Sequence, residues 1–461
     1  MRGMALSVSP WNRIFMLAAS LSIAFASGSR AFQEADLSET GDPWSSLAAR
    51  GQFAEAMLSD VLPGNMPPDF AEIYLADRDS QLLNFTGRYD EAHRTIAPEL
   101  FDPDYVSPDS DAVWIDTTTL ENYSPVDAFE FIRNAAVGRN IVILNESHQM
   151  GQHRAFMARL LPILHEEGFT HFGMEALAES AEQAWENNGT ATMESGFYFG
   201  DPLMASVLET ADELGFQWFA YEVRSDQRLD CAQQACSQQD RIQNRETAQA
   251  QNIYDRVFAD NPDARVVLYV GLSHLDETPG VSESGYRNGW MAAALADLTG
   301  FDPLTIDQVS GSGIGPSQII QTVRDVHGIF DIQSPAVLVD ENGHALQPPP
   351  SRWTADMALF LPLPSDFISG NRPAWLGENP ERVSVAIDLP PDYTAPIVVQ
   401  AFSLPRAERG LAIDQYSVLE GERFDEVTLM LPPGRYVIEG QMTSGTIVLM
   451  EELDVGGITP E

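Results

Sequence analysis

The sequence contains no lysine. All 26 basic residues of the 461-residue chain are arginine, which excludes Schiff-base catalysis and phosphate-binding loops that need a lysine. Acidic residues number 68, so the formal net charge is −42. Because this charge repels phosphate backbones and anionic lipids, we expect no nucleic-acid partner. The 44% hydrophobic content is that of an ordinary globular protein.

Cysteine is almost as scarce. Only Cys231 and Cys236 are present, in a polar stretch. In an oxidising compartment they would pair as a local disulfide. A metal-binding pair is the alternative, although no nearby histidine or further cysteine completes such a site.

Long hydrophobic runs are also scarce, and the main one lies at the start of the chain. Arg2 and Arg13 precede an apolar run over residues 14–25, which ends in the small-residue pattern of residues 24–26. This arrangement predicts a signal peptide over residues 1–31 and a periplasmic or secreted protein, with no stable membrane anchor after cleavage. An uncleaved anchor is the alternative, since the basic end could hold a marginal helix in the membrane.

Residues 35–120 have a helical pattern with a faint internal repeat. Residues 47–56 recur as residues 83–92, 36 positions later, and resemble the helix-turn-helix joint of tetratricopeptide repeats. Two copies are too few for a solenoid. We therefore expect helical hairpins that pack on the main domain.

Residues 125–365 predict an α/β domain, because short apolar runs alternate with amphipathic segments. We expect a mostly parallel sheet with helices on both faces. The predicted strands are residues 141–144, 170–174, 217–221, 265–270, 304–306, 336–339 and 357–361.

Residues 380–457 predict a separate β-sandwich-like accessory domain, because helical signals stop after a Pro/Gly-rich stretch. The predicted strands are residues 383–387, 397–402, 426–431, 435–439 and 445–450. This region has no cluster of nucleophiles, bases or ligands, so its role stays open.

Polar side chains follow the predicted strands of the α/β domain at their carboxyl ends. The residues concerned are Asn145, Glu146 and His148 after the first strand, Glu175 after the second, Tyr221 and Glu222 after the third, and His274 after the fourth. Ligands of open α/β sheets bind at this edge, so Tyr221 and Glu222 are candidate substrate contacts. Two histidines and several carboxylates would meet there if the strands are adjacent.

Two chemistries fit these residues. His148, His274 and Glu175 have the donor types of a zinc-like divalent metal site, and a His–Glu pair serves equally as a general base with its orienting partner. His153 is a candidate third ligand, substrate contact or haem ligand, with a surface helix position as the alternative.

A second polar group lies on the helix that precedes the fourth strand. Arg245 and Asn252 share one face of this helix. They are candidates to bind an anionic group or to keep Glu146 and Glu175 ionised. A solvated helix face is the alternative.

Four motifs occur in order along the chain. Residues 142–153 form a strand with a Glu-x-His motif, Met174-Glu175 ends a second strand, residues 245–253 begin a helix with arginine, and residues 271–274 form a Gly-x-x-His element. In these motifs the chain resembles the superfamily of ChaN-like haem-binding proteins, erythromycin esterases and Tiki/TraB metalloproteases, and it is most similar to the ChaN-like branch.

The resemblance implies that Glu146, His148, Glu175 and His274 line the active cleft, with Arg245 and Asn252 as further contributors. Asn145 replaces the family's glycine, and its side chain is therefore a candidate substrate contact. The chain also lacks the lipid-attachment cysteine expected of a ChaN-type lipoprotein.

Three functional hypotheses follow. The first is an exported hydrolase of ester or amide bonds in a small-molecule or peptide substrate, with a His/Glu cleft and possible assistance from a divalent metal. In it, Glu146, His148, Glu175, Arg245 and His274 are catalytic. The second is a haem- or iron-binding protein with His148, His153 or Tyr221 as axial ligand. The third is a non-catalytic interaction protein. The oligomeric state stays open.

Overall fold

The computed structural model describes residues 43–59, 68–105, 114–231, 236–278, 289–349, 351–364, 372–379, 381–404 and 410–456. The predicted signal peptide, residues 1–31, lies outside the described residues. Within those ranges, no helix has both the length and the apolar composition needed to cross a membrane.

The N-terminal region is helical, and both copies of its sequence repeat are helical hairpins. The helices are α1 (Pro43–Ala49), α2 (Phe53–Met57), α3 (Pro68–Phe85), α4 (Tyr89–Ile96), α5 (Pro98–Phe101) and α6 (Thr117–Leu120). Gly51 joins α1 to α2 at φ +69°, and Gly87 joins α3 to α4 at φ +77°. Glycine adopts this left-handed conformation without strain, which ends the first helix of each pair.

A mostly parallel, eight-stranded sheet forms the centre of the molecule, which confirms the predicted fold class. Its strands are β1 (Ser124–Asp127), β2 (Ile141–Glu146), β3 (His171–Met174), β4 (Gln217–Phe219), β5 (Val266–Gly271), β6 (Leu304–Asp307), β7 (Ala336–Val339) and β8 (Met357–Phe360). Their order is β1-β7-β8-β6-β2-β5-β3-β4. The strands from β8 to β4 pair in parallel, whereas β7 is antiparallel to both β8 and β1.

Helices cover both faces of this sheet. They are α7 (Ala128–Ala135), α8 (Gly151–Glu166), α9 (Ala181–Asn188), α10 (Pro202–Glu213), α11 (Gln238–Ile253), α12 (Met291–Thr299), α13 (Gln308–Gly311) and α14 (Ser317–Phe330). Alternate side chains of β2 point to opposite faces of the sheet. Ile141 and Ile143 join the core shared with α11, α12 and α14, whereas Val142 and Leu144 join the core shared with α8 and α10.

The C-terminal region consists of two antiparallel sheets. Its strands are β9 (Val383–Asp388), β10 (Ile397–Ser403), β11 (Asp414–Val418), β12 (Glu426–Leu431), β13 (Gly434–Met442) and β14 (Ile447–Val455). One sheet has the order β11-β10-β13-β14, and the other pairs β12 with β9. Val399 of the first sheet and Leu429 of the second belong to one apolar core, so the two sheets pack face to face.

Strand β11 attaches this sandwich to the rest of the chain. Gln415 Nε2 donates a 2.9 Å hydrogen bond to the carbonyl of Gly200, which lies in the α/β region. Arg372 and Asp414 form a buried ion pair of 2.6 Å. Breaking one half of such a pair is costly, because the remaining charge has no partner.

Candidate active site

The predicted site residues gather at the carboxyl edge of three adjacent strands. In the sheet, β5 lies between β2 and β3. Glu146, at the end of β2, is in register with Gly271 at the end of β5. Glu175 directly follows β3, and its backbone N–H donates to the carbonyl of Tyr269 on β5 at 3.0 Å. Parallel pairing therefore brings the segments that carry His148, Glu175 and His274 to one place.

The first half of the cleft is the His148 centre. Nδ1 of His148 lies 2.8 Å from Oε1 of Glu146. Because a carboxylate accepts, this nitrogen carries the proton and Nε2 keeps its lone pair. The ring of Tyr198 stacks on the imidazole, with centroids 4.1 Å apart and planes 20° apart. The imidazole is thus fixed in position and in tautomer.

Glu146 is itself held by two buried groups. Arg154 Nε donates to it at 3.0 Å, and the hydroxyl of Tyr269 donates at 2.9 Å. Burial opposes the carboxylate, but Arg154 and His148 overcome this effect and lower the pKa of Glu146 to about 2. Arg154 also donates to Asp201 at 2.6 Å and to the carbonyl of His148 at 2.8 Å.

The second half of the cleft is the His274 centre. Nδ1 of His274 lies 2.7 Å from Glu246, and Nε2 lies 3.2 Å from Glu175. Burial disfavours the imidazolium, but Glu175 and Glu246 together raise the pKa of His274 to about 10. His274 is therefore a cation at neutral pH.

Arg245 completes this centre from α11. Its Nη2 donates to Glu175 at 2.5 Å, and its Nε lies 3.0 Å from both carboxylate oxygens of Glu222. Its Nη1 lies 2.9 Å from Nε2 of His274 and opposes the charge of the imidazolium, whereas both side chains contact Glu175. Although Glu175 is buried, His274 and Arg245 hold its pKa well below the usual range.

Gly271 provides the space between the two centres. A Cβ on this residue would stand 2.9 Å from His148 Nε2 and 2.9 Å from Glu175 Oε2. These two atoms are therefore within about 6 Å of each other. The backbone N–H of Gly271 also donates to Glu175. Only glycine leaves this region free of a side chain.

The N-terminal helices form one wall of the cleft, although the sequence assigned them no chemistry. Gln81 of α3 donates from Nε2 to the carbonyl of His148 at 3.0 Å. Asp77, one turn earlier, accepts from Gln149 at 2.5 Å. Burial raises the pKa of Asp77 to about 6, and the nearby His148 opposes this rise. The pocket beside His148 is lined by Trp44, Asp77, Gln81, Gln149, Phe197 and Tyr198.

Asn145 does not face the cleft, contrary to prediction. Its amide nitrogen donates to the carbonyl of Leu272 at 2.9 Å and to Asp307 at 3.0 Å. Its side-chain oxygen accepts from the N–H of Gln308 at 2.9 Å. The side chain joins the ends of β2, β5 and β6, and its polar atoms are used inside the fold.

His153 is a buried structural histidine, so neither the ligand nor the surface interpretation holds. Its Nδ1 accepts from the N–H of Ser147 at 3.0 Å, and its Nε2 lies 2.9 Å from the hydroxyl of Ser312. It has no exposed surface. Burial lowers the pKa of His153 to about 3, so the ring is neutral with both nitrogens engaged.

Three of the predicted contact residues have a structural role next to the cleft: Tyr221, Glu222 and Asn252. Tyr221 is only 1% exposed, and Glu222 pairs with Arg245. Asn252 donates to the carbonyl of Tyr221 at 3.1 Å and accepts from Arg224 at 2.6 Å. These contacts hold the chain after β4 against α11. They replace the substrate contacts that the sequence predicted.

Cys231 and Cys236 form a disulfide in the connection between β4 and α11. The Cα atoms are 5.3 Å apart, within the range that a disulfide spans. This pairing matches the prediction of a local disulfide, and it leaves neither thiol free for a metal.

The donors of the cleft do not fit the predicted divalent metal. A metal at His148, His274 and Glu175 needs a free nitrogen on His274 and a free carboxylate on Glu175. Nδ1 of His274 is hydrogen-bonded to Glu246, Nε2 lies 2.9 Å from Arg245 and 3.2 Å from Glu175, and Glu175 already binds Arg245. Among the described residues, no group of three or more His, Cys, Asp or Glu side chains is arranged to hold a metal ion.

Among the residues that the sequence analysis missed are Arg154, Glu246 and Tyr269. Arg154 and Glu246 are charges on helices, which usually face solvent, yet here they are 0% and 1% exposed. Arg154 lies eight residues after Glu146, and Glu246 is adjacent to Arg245. Closeness to the predicted catalytic residues was the only signal in the sequence. Tyr269 lies within a strand whose apolar pattern gave no sign of a contact with Glu146.

Comparisons with known proteins assign no family. No family model matches the chain, and no curated protein matches it. Among solved structures, one titled "Bacterial protein toxins" matches with a TM-score of 0.32 and 14% identity, over 58% of this chain and 57% of that one. The type III effector HopBA1 matches with a TM-score of 0.27 and 14% identity, over 40% of this chain and 85% of that one.

A third structure is the C-terminal region of Pasteurella multocida toxin, described as having a thiol-protease-like catalytic triad. It matches with a TM-score of 0.31 and 12% identity, over 58% of this chain and 37% of that one. The chain thus spans less than two thirds of the first of these structures. At these values the likeness says nothing about the reaction.

Proposed function

We propose that this protein is a hydrolase of ester or amide bonds in which His148 is the general base. The observation that carries the proposal is the convergence of two histidines, each bonded through Nδ1 to its own glutamate, at the carboxyl edge of β2 and β5. Clustered ionisable groups with strongly shifted pKa values are typical of active sites.

In the proposed reaction, Nε2 of His148 takes a proton from water while the water oxygen bonds to the acyl carbon. The carbonyl electrons move onto oxygen, and the oxyanion is stabilised by the positive charges of His274 and Arg245. When the carbonyl forms again, the bond to the leaving oxygen or nitrogen breaks. The leaving group then takes the proton from His148.

Glu146 and Glu175 have different roles in this scheme. Glu146 fixes the tautomer of His148 and favours the imidazolium that forms during proton transfer. Glu175 binds His274 and Arg245 and holds both cations next to the space left by Gly271. No step requires a metal ion.

The contacts of the cleft favour this function over the haem-binding alternative. Two of the three proposed axial ligands, His153 and Tyr221, are 0% and 1% exposed, which leaves no access for a haem group. The third, His148, is covered on one ring face by Tyr198. A non-catalytic role predicts that His148, Glu175 and His274 lie apart, and they lie together.

We further infer that the chain is a distant member of the ChaN-like, erythromycin esterase-like and Tiki/TraB superfamily. The four matching motifs, in order along the chain, support this assignment. We also infer export to the periplasm or the exterior. Residues 1–31 have the composition of a signal peptide, and the Cys231–Cys236 disulfide suits an oxidising compartment.

The direct test is hydrolysis of a panel of chromogenic esters and aryl amides by the purified protein, with and without a chelator. We expect activity that the chelator leaves unchanged and that falls by about 10²–10⁴-fold in His148→Ala. His344→Ala is the matched control, because that side chain is 80% exposed and lies outside the cleft. Equal activity of His148→Ala and wild type would refute the role of His148.

A further inference from the structure

The pocket beside His148, here called the His148 pocket, has no task in the proposed reaction. It lies between α3, which carries Asp77 and Gln81, and the segment before α10, which carries Phe197 and Tyr198. Its volume is about 10 Å³, the space of a single water molecule. Asp77, Phe197 and Tyr198 are partly exposed, so a ligand can reach the pocket from solvent.

The polar atoms that remain available in the His148 pocket are hydrogen-bond acceptors. Oδ1 of Asp77 accepts from Nε2 of Gln149 at 2.5 Å, and within the described part of the chain no group donates to Oδ2. Gln81 uses Nε2 to donate to the carbonyl of His148 at 3.0 Å, which leaves its side-chain oxygen. The oxygen of Gln149 already accepts from the hydroxyl of Ser147 at 2.8 Å. A ligand in this pocket must therefore donate hydrogen bonds.

The charges around the pocket favour a cation. Burial raises the pKa of Asp77 to about 6, so this side chain is still mainly a carboxylate at neutral pH. Burial, Glu175 and Asp77 raise the pKa of the Tyr198 hydroxyl well above its usual value, and Arg154 opposes this rise. The formal net charge of −42 also attracts cations to the molecule.

Aromatic rings form the rest of the wall. The ring of Phe197 lies with its centroid 6.1 Å from that of Trp44 and 5.3 Å from that of Tyr198. The indole N–H of Trp44 donates to the hydroxyl of Tyr74 at 2.7 Å, which fixes the indole ring. Aromatic rings attract a cation that is held close to them.

We propose that the His148 pocket binds a primary ammonium group, and that the substrate is an ester or amide with a protonated amine near the bond that is cleaved. An ammonium group has three donors and no acceptor, which matches the free oxygens of Asp77 and Gln81. It is about as large as a water molecule, whereas a trimethylammonium group is too large for the pocket. The substrate part of this proposal rests on the proposed hydrolase function.

The first test measures binding without turnover. Saturation-transfer NMR titrations of the full-length protein compare butylammonium with butyltrimethylammonium and butanol. Butylammonium is expected to bind at least tenfold more tightly than either of the others. Asp77→Asn should weaken its binding about tenfold, because a charged acceptor is lost. Asp79→Asn is the matched control, since this carboxylate lies on the same helix but is 48% exposed, and it should bind butylammonium as wild type does.

The second test measures kcat/KM for p-nitrophenyl esters of β-alanine and ε-aminocaproic acid against those of butyric and heptanoic acid, in which a methyl group replaces the ammonium. Wild type and Asp79→Asn should prefer the amino esters at least tenfold, and Asp77→Asn should lose this preference. Because the preference is a ratio within one protein, a general loss of activity does not imitate the result.

Equal binding of butylammonium and butyltrimethylammonium would overturn the proposal, as would an affinity or an ester preference that Asp77→Asn leaves unchanged. Hydrolysis of all four esters at equal rates would overturn the substrate class and leave the hydrolase function standing. If wild type hydrolyses none of them, the hydrolase function fails together with the substrate class, whereas the butylammonium titration still decides whether the ammonium site exists.

Discussion

The two cleft histidines are alike in that each bonds to a glutamate, but the charged groups around the two pairs differ. His148 and His274 follow neighbouring strands, and Nδ1 of each bonds to a glutamate. Glu146, the partner of His148, is shared with Arg154 and Tyr269. His274 instead lies between two carboxylates, which raise its pKa to about 10.

The difference shows that a His–Glu pair does not determine the role of its histidine. The charge of Glu146 is balanced by Arg154, so this carboxylate orients His148 and leaves Nε2 available for proton transfer. A second carboxylate, Glu175 at 3.2 Å from Nε2, helps to raise the pKa of His274 to about 10 and keeps it charged at neutral pH. In the proposed mechanism, the groups around each His–Glu pair therefore distinguish His148, the base, from His274, the electrostatic support.

The largest effect is expected from Arg154→Met, which breaks the His148 centre. The change leaves Glu146 and Asp201 buried without their cation. We expect a loss of about 3–5 kcal/mol in the free energy of unfolding, measured by urea denaturation. Arg133→Met, at an exposed ion pair with Glu166, is the control and should cost less than about 1 kcal/mol. Similar values for the two variants would contradict the account of Glu146.

Gly271→Ala is expected to have the next largest effect, because it fills the space between the two centres. The new methyl group would stand 2.8 Å from His148 Cε1 and 2.9 Å from Glu175 Oε2, so both side chains must shift. We expect kcat/KM to fall by about 10²-fold, since misplacement by about 1 Å has that effect, while the chain still folds. Gly328→Ala, on α14 with no atom close to the new methyl, should keep full activity. Full activity of Gly271→Ala would show that the two centres do not act together.

The smallest effect is expected from Glu246→Gln, which removes one of the two carboxylates on His274. The usual histidine pKa of 6.5 rises to about 10 in the folded protein. This stabilisation is therefore complete below pH 6.5 and is lost as the pH rises towards 10. Wild type should lose up to about 1.4 kcal/mol per pH unit in that window.

In Glu246→Gln the loss of stability should begin at lower pH, because the pKa of His274 falls when one carboxylate is removed. Equilibrium unfolding in urea at several pH values between 6 and 10 measures both slopes. The two proteins would have parallel profiles if Glu246 did not help to charge His274.

The sequence predicted the sheet well, because its strands are short apolar runs with clear ends. Every strand predicted in residues 125–365 lies within two residues of its observed bounds. β1 was missed because it contains Pro125 and is largely exposed. β11 was missed for the opposite reason, since it is polar yet buried, with Asp414 against Arg372 and Gln415 against the carbonyl of Phe85 at the end of α3.

The sequence located the residues at the centre of the candidate site, but it misplaced or missed residues around them. Placement after adjacent parallel strands located His148, Glu175 and His274. The same rule misplaced Asn145, because a residue at a strand end also faces neighbouring loops. Arg154 and Glu246 were missed because burial of a helical charge depends on distant partners, which a pattern along the chain does not contain.

The charge state of His274 decides whether the cleft contains a fixed cation, and it can be measured without a substrate. Long-range ¹H–¹⁵N correlation spectra of the histidine rings, assigned with His274→Gln, report protonation of Nδ1 and Nε2 separately. We expect both nitrogens of His274 to stay protonated from pH 6 to pH 8.5. Loss of one proton from His274 near pH 6.5 would contradict the assignment of this residue as the fixed cation of the cleft.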